Sequence, residues 1–216
     1  MKTITSFVLL GLLFISCSKD RLTASGDKIT QVREVRDFTG VDADGSTDIH
    51  ISYGTEFKVT LKGSDNLIPY FKTEVIGRNL HLGYERVNVR HDDIQVYVTL
   101  PAIQYINLSG SAHVDISGGF PLIDHLQVVV SGSGEVEAED AVEVAEAEIS
   151  ISGSGEADLK KVSTAEAAVH VSGSGDARIS VTDFLKARIS GSGKIYYSGN
   201  PQLDSQISGS GKLIKF

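Results

Sequence analysis

Ser131-Gly132-Ser133-Gly134, Ser152-Gly153-Ser154-Gly155, Ser172-Gly173-Ser174-Gly175, Ser190-Gly191-Ser192-Gly193 and Ser208-Gly209-Ser210-Gly211 are copies of one tetrapeptide, and Ser109-Gly110-Ser111-Ala112 is a copy with one change. Successive copies begin 22, 21, 20, 18 and 18 residues apart. A drifting period near twenty is too loose for collagen or a coiled coil, and no leucine pattern of a horseshoe repeat accompanies it. It suits one coil of a β-solenoid per copy.

The flanks separate a stacked coil from a Gly/Ser linker. One and three residues before the tetrapeptides stand Leu108 and Ile106, Val130 and Val128, Ile151 and Ile149, Val171 and Val169, Ile189 and Ala187, then Ile207 and Ser205. Five and seven residues after each first serine stand Val114 and Ile116, Val136 and Ala138, Ala157 and Leu159, Ala177 and Ile179, Ile195 and Tyr197, then Leu213 and Lys215. Two short strands of period two therefore flank every glycine pair, with one row turned inward. A linker has no reason to keep that alternation. Equivalent residues would stack into columns, and the five intervals would rise about 24 Å. The glycines allow a corner where a Cβ would meet the neighbouring coil, and the serines can bond local backbone or one another. A phosphate-cradling loop would need a helix N-terminus behind the glycines, and none is written here.

Residues 31–101 lack the tetrapeptide but keep strand signals. Asp48-Ile49-His50-Ile51-Ser52, Phe57-Lys58-Val59-Thr60-Leu61-Lys62, Asn79-Leu80-His81-Leu82-Gly83 and Ile94-Gln95-Val96-Tyr97-Val98-Thr99-Leu100 alternate. Tyr53-Gly54-Thr55-Glu56 reads as a turn, and Ser64 to Phe71 as room for one helical turn. The expected fold class is all-β, a parallel β-helix or β-solenoid with coils of 18–22 residues. One domain covers residues 31–216, its repeat coils filling 102–216.

At the start, Met1-Lys2-Thr3 precedes the apolar run Phe7-Val8-Leu9-Leu10-Gly11-Leu12-Leu13-Phe14-Ile15, too short to span a bilayer and suited to a signal h-region. Phe14-Ile15-Ser16-Cys17 resembles a bacterial lipobox, although Phe14 stands where Leu is usual. The expectation is a lipoprotein signal peptide over residues 1–16, a lipidated Cys17, and a polar tether to residue 30. The chain has one cysteine in 216 residues, so no internal disulfide holds the fold. A lipid on Cys17 would account for it and give the protein its membrane partner. Lys and Arg number 20 against 28 Asp and Glu, for a net charge of -8, which argues against nucleic acid reached through a basic surface.

Arg33-Glu34-Val35-Arg36-Asp37-Phe38-Thr39-Gly40-Val41, Ser64-Asp65-Asn66-Leu67-Ile68-Pro69-Tyr70, Val98-Thr99-Leu100-Pro101, the tetrapeptide series and Lys194-Ile195-Tyr196-Tyr197-Ser198-Gly199-Asn200-Pro201 occur in this order. Together they resemble the auto-transporter adhesin "head GIN" domain, a family frequent among exported lipoproteins of Bacteroides-group bacteria. The resemblance runs from about Val32 to Phe216. It implies a right-handed parallel β-helix-like fold and an envelope or cell-surface location, and the expected place is the outer membrane, on its periplasmic or its surface face. It supplies no catalytic residues to carry over.

Candidate chemistry lies in one column. The residues directly after the tetrapeptides are His113, Glu135, Glu156, Asp176, Lys194 and Lys212. Glu135, Glu156 and Asp176 would form an acidic strip, with Lys194 and Lys212 placed to pair with its end. Three carboxylates in line could hold Ca²⁺, but the Gly-Gly-x-Gly-x-Asp repeat of calcium-binding solenoids is missing. A hydrated strip is the preferred reading, with no metal and no cofactor. Glu137, Glu139, Asp140, Glu143, Glu146 and Glu148 extend the acidic face. Of the dispersed histidines, only His91-Asp92-Asp93 is compact, and it reads as a polar turn. Ser133 sits between glycines with no elbow helix behind it, so no nucleophile is assigned. The reading is a non-enzymatic adhesin, binding or structural head whose partner is a glycan or an envelope protein. A carbohydrate-active β-helix is the alternative, with a sugar platform sought among Tyr53, Tyr70, Phe71, Tyr84, Tyr97, Tyr105, Tyr196 and Tyr197. Self-assembly through open coil ends is the third.

Overall fold

A computed structural model describes residues 21–85 and 87–216. In chain order the strands are β1 (Arg21–Thr23), β2 (Lys28–Arg33), β3 (Gly40–Gly45), β4 (Asp48–Tyr53), β5 (Lys58–Ser64), β6 (Phe71–Ile76), β7 (Asn79–Tyr84), β8 (Asn88–Arg90) and β9 (Gln95–Leu100). The second half continues with β10 (Tyr105–Gly110), β11 (His113–Ser117), β12 (Ile123–Gly132), β13 (Glu135–Ala138) and β14 (Val142–Gly153). It ends with β15 (Glu156–Gly173), β16 (Asp176–Gly191), β17 (Lys194–Ser198), β18 (Gln202–Gly209) and β19 (Lys212–Lys215). One 3₁₀ turn, Ile68–Tyr70, fills the place where a helical turn was expected.

The chain is a β-solenoid. One ladder stacks β10, β12, β14, the end of β15, the end of β16 and β18 in parallel; the other stacks β11, β13 and the beginnings of β15 and β16 under β17 and β19. Gly110, Gly132, Gly153, Gly173, Gly191 and Gly209 are direct ladder partners, so the tetrapeptides lie over one another. At each level the amide after this glycine donates to the carbonyl of the glycine one coil earlier, as Ser174 N to Gly153 O at 2.8 Å and Ser192 N to Gly173 O at 2.8 Å. The corner is thus held by backbone, which satisfies its polar groups in place. The ladder pairs between hydroxyls occur elsewhere, at Ser180 with Ser198 (2.6 Å) and Ser52 with Thr99 (3.2 Å).

The apolar positions read from the sequence form the core. Ile106, Val128, Ile149, Val169 and Ala187 make one buried column and Leu108, Val130, Ile151, Val171 and Ile189 another. Val114, Val136, Ala157, Ala177 and Ile195 face them, with Ile116, Ala138, Leu159, Ile179 and Tyr197 alongside. Burying one such Ile or Val removes enough apolar surface from water to contribute about 1.5–3 kcal/mol. The shortening from 20 to 18 residues per coil is local. Between Leu159 and Ser163 the lower coil carries three residues that the next coil omits, and between Thr164 and Glu166 it carries one against two.

The parallel ladder also extends into the first half, which the sequence did not disclose. β3 pairs with β10 so that Val41, Ala43 and Gly45 underlie Ile106, Leu108 and Gly110, and β4 underlies β11. Asp44-Gly45-Ser46-Thr47 is therefore a further corner, and Ala112 is the tetrapeptide residue that stacks on it. Beneath this level lie β7 and β9, parallel to β3 and β4. Stacking order and chain order differ here: β3 and β4 are sandwiched between β7/β9 and β10/β11. The Tyr53–Glu56 turn joins β4 to β5, yet β9 lies between those two strands.

The two ends of the stack differ. At the first, β6 runs antiparallel on β7, β5 antiparallel on β9, and β2 antiparallel on β5. These strands close the coil edge, and Lys28, Arg33, Lys72 and Glu74 mark them with charge. β1 pairs with β8 in a separate small sheet, and Asn66 ties it to the cap by accepting from the Ser25 amide at 3.0 Å and donating to the Thr23 carbonyl at 2.9 Å. At the other end, among the described residues, no strand lies on β18 or β19. Cys17 falls outside the described residues.

Candidate functional site

The acidic column stacks in the order read from the sequence: His113, Glu135, Glu156, Asp176, Lys194 and Lys212 are successive ladder partners. A second outward column runs beside it through His50, Asp115, Glu137, Asp158, Arg178 and Tyr196. One residue of this second column, Arg178, and Lys160 beside it supply counter-charge. Arg178 pairs with Glu156, while Lys160 pairs with Asp158 at 2.7 Å and lies 3.9 Å from Glu137. Asp176 accepts from the backbone amide of Lys194 at 3.0 Å, so the main chain takes the place expected for the lysine side chain. Among the described residues no group of three or more His, Cys, Asp or Glu is arranged to hold a metal ion. Glu135, Glu156 and Asp176 each have a partner of their own, and the strip is a row of separate pairs.

Four histidines face a carboxylate one coil away. His50 Nδ1 lies 2.5 Å from Asp115, His81 3.2 Å from Asp42, His113 3.5 Å from Glu135 and His125 3.7 Å from Glu146. All four are direct ladder partners. The common offset from the tetrapeptide places His113 beside Glu135, but no sequence spacing reveals the other three pairs, because a one-residue change in coil length would turn one partner to the opposite face. Around His50 the face becomes aromatic: its ring stacks on Tyr97 at 4.7 Å, and Lys62 Nζ sits 4.1 Å over the same ring. Arg178 lies over Tyr196 at 4.8 Å, whereas Tyr197 turns into the core. Tyr196 and Tyr197 thus point to opposite faces, as alternation demands.

His91-Asp92-Asp93 is a turn between β8 and β9, with His91 at φ 52°. Its carboxylates serve the cap. Asp92 accepts from Thr47 Oγ1, from Tyr84 Oη at 2.6 Å and from the Ile94 amide at 3.1 Å. Asp93 accepts from Lys28, from Ser64 Oγ at 2.6 Å and from the Ser64 amide at 2.9 Å. Burial alone would raise the Asp93 carboxyl, but the bonds from Lys28 and Ser64 outweigh it and hold it below the usual carboxylate range. Burial first, and then the bond to Asp92, push the Tyr84 phenol well above its ordinary value of 10.0. The unfolded chain releases that proton at about pH 10 and the folded chain keeps it. Stability is expected to be intact below pH 10 and to fall as the pH rises beyond it. Urea titrations on both sides of pH 10 check this, and Tyr84→Phe should flatten the alkaline fall; an unchanged slope would refute the assignment.

The concavities are shallow. One of about 220 Å³ opens over Ala168, between Glu148, Lys186 and Arg188. Its neighbour across His170 and Arg188 measures about 180 Å³. Two more sit on the cap, about 230 Å³ beside Lys72 and Tyr84 and about 350 Å³ beside Val32 and Phe57. The sugar platform sought among the tyrosines is not assembled in any of these four: one aromatic at most lines each.

A family model described as "Putative auto-transporter adhesin, head GIN domain" matches residues 37–201. A solved structure of a "putative adhesin" from Bacteroides fragilis NCTC 9343 is similar in fold, with TM-score 0.73 and 20% identity, covering 90% of this chain and 100% of that one. A "putative lipid binding protein" from Parabacteroides distasonis ATCC 8503 has TM-score 0.60 and 21% identity, covering 91% of this chain and 100% of that one. A "putative adhesin" from Parabacteroides merdae ATCC 43184 has TM-score 0.58 and 22% identity, with 91% and 99% covered. No curated protein matches the chain.

Proposed function

This chain belongs to the head GIN domain family, and from that membership we propose that it is an exported, lipid-anchored binding head of the cell envelope that works without catalysis. The observation that carries the reading is the arrangement of the ends. The capped end receives the N-terminal segment, with Cys17 four residues ahead of β1, while the rest of the stack projects as a rigid column. Four residues of extended chain reach about 14 Å at most, so a lipid on Cys17 would seat the cap close to the bilayer. From β7 to β18 the ladder makes seven steps of about 4.8 Å, or about 34 Å of reach. The outward columns offer charged and aromatic side chains at fixed spacing to a glycan or an envelope protein. No described helix is long and apolar enough to cross a membrane, so the reading assigns membrane attachment to the fatty chains.

Metabolic labelling tests the anchor. Palmitate should enter the wild-type protein in an exporting bacterial host and be lost completely from Cys17→Ala. Label retained by the variant, or absent from the wild type, would overturn the proposal. Release of reducing ends from any envelope glycan by the purified protein would contradict the non-catalytic part.

A further inference from the structure

We propose that the open end of the stack, formed by β18 and β19, is a docking face for anionic lipid surfaces. The proposal deepens the reading of a lipid-anchored head, because it makes the end opposite the anchor the contacting tip.

Two independent observations meet at this end. The first is apolar. Leu203 stacks on Leu185, which is fully buried, and Ile207 on Ile189, which is 3% exposed; yet Leu203 and Ile207 are each 43% exposed because no coil covers them among the described residues. Phe216, just past β19 on the other ladder of the same coil, is 57% exposed, and its amide bonds the Tyr197 carbonyl at 3.0 Å, which fixes it there. The end is therefore a cross-section of the core, half open to water.

The second observation is charge. Residues 113–158 contain eleven Asp and Glu and no Lys or Arg, whereas residues 159–216 contain eight Lys and Arg against four Asp and Glu. The stack is polarised along its axis. Among the described residues no carboxylate pairs with Lys194, Lys212 or Lys215; Lys215 makes a bond to the neutral Asn200 side chain at 3.4 Å. The acidic residue of the last coil, Asp204, is held by Arg188 at 2.7 Å. Lys215 even occupies an inward position, above Tyr197, where the coil beneath is apolar.

Exposed apolar side chains on β18, with lysines that no carboxylate neutralises on β19 of the same coil, fit the interface of an anionic bilayer, where side chains enter the headgroup boundary and each lysine near the surface adds attraction. They fit a second copy poorly. Apposing two such ends would bring their unpaired lysines together, and the opposite end of another copy is closed by β2, β5 and β6.

Bridging of vesicles tests the proposal with the full acylated chain. The protein is first reconstituted into phosphatidylcholine vesicles, and flotation records whether it is anchored. Phosphatidylglycerol or phosphatidylcholine acceptor vesicles are then added, and bridging is followed by energy transfer between labelled lipids. Bridging to phosphatidylglycerol alone, weakened by salt and about thirtyfold or more by Lys212→Glu with Lys215→Glu, is the expected result. Lys212→Arg with Lys215→Arg should retain it, and Ile207→Ser should weaken it at constant charge. Equal bridging to both lipids, or bridging untouched by the charge reversal in a variant with unchanged far-UV circular dichroism, would overturn the proposal. So would scattering without acceptor vesicles that the same reversal abolishes, which would assign the end to a second copy. If flotation shows no anchoring, the anchor reading fails by itself; the tip is then read by adding the protein directly to phosphatidylglycerol vesicles, where equal binding of wild type and charge-reversed chain refutes it.

Discussion

Gly173→Ala is expected to cost about 3–5 kcal/mol of stability. A Cβ at Gly173 would lie 2.4 Å from the Gly153 carbonyl oxygen and 3.1 Å from its carbon, and the backbone there has φ +123°. The clash is with main chain, which belongs to the next corner and cannot swing away as a side-chain tip can. Relief would require widening the ladder at the level where Ser174 N donates to Gly153 O. The same variant at Gly119, where nothing lies within 4 Å and φ is not positive, is the control and should change stability by less than about 0.5 kcal/mol. Gly175→Ala separates the two causes. Its φ is not in the left-handed region, but its Cβ would stand 2.4 Å from the Gly155 oxygen. Urea unfolding followed by far-UV circular dichroism gives all three values. A loss below about 1 kcal/mol for Gly173→Ala would mean that the corner glycines are not set by coil stacking.

Asp92→Ala should also be severely damaging, at about 2–4 kcal/mol. Thr47 is 3% exposed, and its hydroxyl donates to Asp92; removing the carboxylate leaves that donor buried without an acceptor and also strips the Tyr84 hydroxyl and the Ile94 amide of theirs. These three bonds join the corner above β9, strand β7 and the start of β9, so the cap loosens as a unit. Adding Thr47→Val to Asp92→Ala should restore part of the loss, because the orphaned hydroxyl disappears with its partner. A metal role predicts otherwise. Were the His91-Asp92-Asp93 cluster a cation site, a chelator would lower wild-type stability and leave the variant unchanged. The expected outcome is no response to chelator in either protein. Acid adds a related test at Asp93: its lowered carboxyl contributes stability above its ordinary value of 3.8, which fades as the pH falls through that lowered value.

These two sites show what could be read from the chain alone. The corner glycines and the inner columns were legible because a solenoid repeats the same constraint at every coil. Gly173 and Gly175 meet the carbonyls of Gly153 and Gly155, just as Gly153 and Gly155 meet those of Gly132 and Gly134 one level below. The corner at Asp44-Gly45-Ser46-Thr47 was not legible. It keeps only the middle Gly-Ser, since Thr47 is enlisted by Asp92 and Asp44 borders Gly83 of the level beneath. The cap obeys hairpin-like antiparallel pairing in place of repetition, so self-similarity ends there. The acidic column was legible as a column, because its residues keep one offset from the tetrapeptide. Its neutralisation was not, since Arg178 and Lys160 belong to adjacent positions whose direction depends on the register of coils of 18 to 22 residues. Apart from His113 and Glu135, which share the tetrapeptide offset, the histidine and carboxylate pairs lie 21 to 65 residues apart, as with His125 and Glu146 or His50 and Asp115, and only a known register joins them.

The interleaved position of β3 and β4 bears on the timing of synthesis. As the chain is made, residues 40–53 emerge before either neighbour they will lie between, and both of their ladders wait for residues 79–117. Closing these long loops is the slow, non-local part of folding. Every later coil meets a finished template and needs only contacts about twenty residues back. The molecule has one hard nucleation event at its beginning and a sequence of easy additions after it. A nascent chain halted before residue 79 would expose both edges of β3 and β4, and one halted at residue 100 would still expose the edge that β10 and β11 cover, while one halted at any later corner would already carry a closed base.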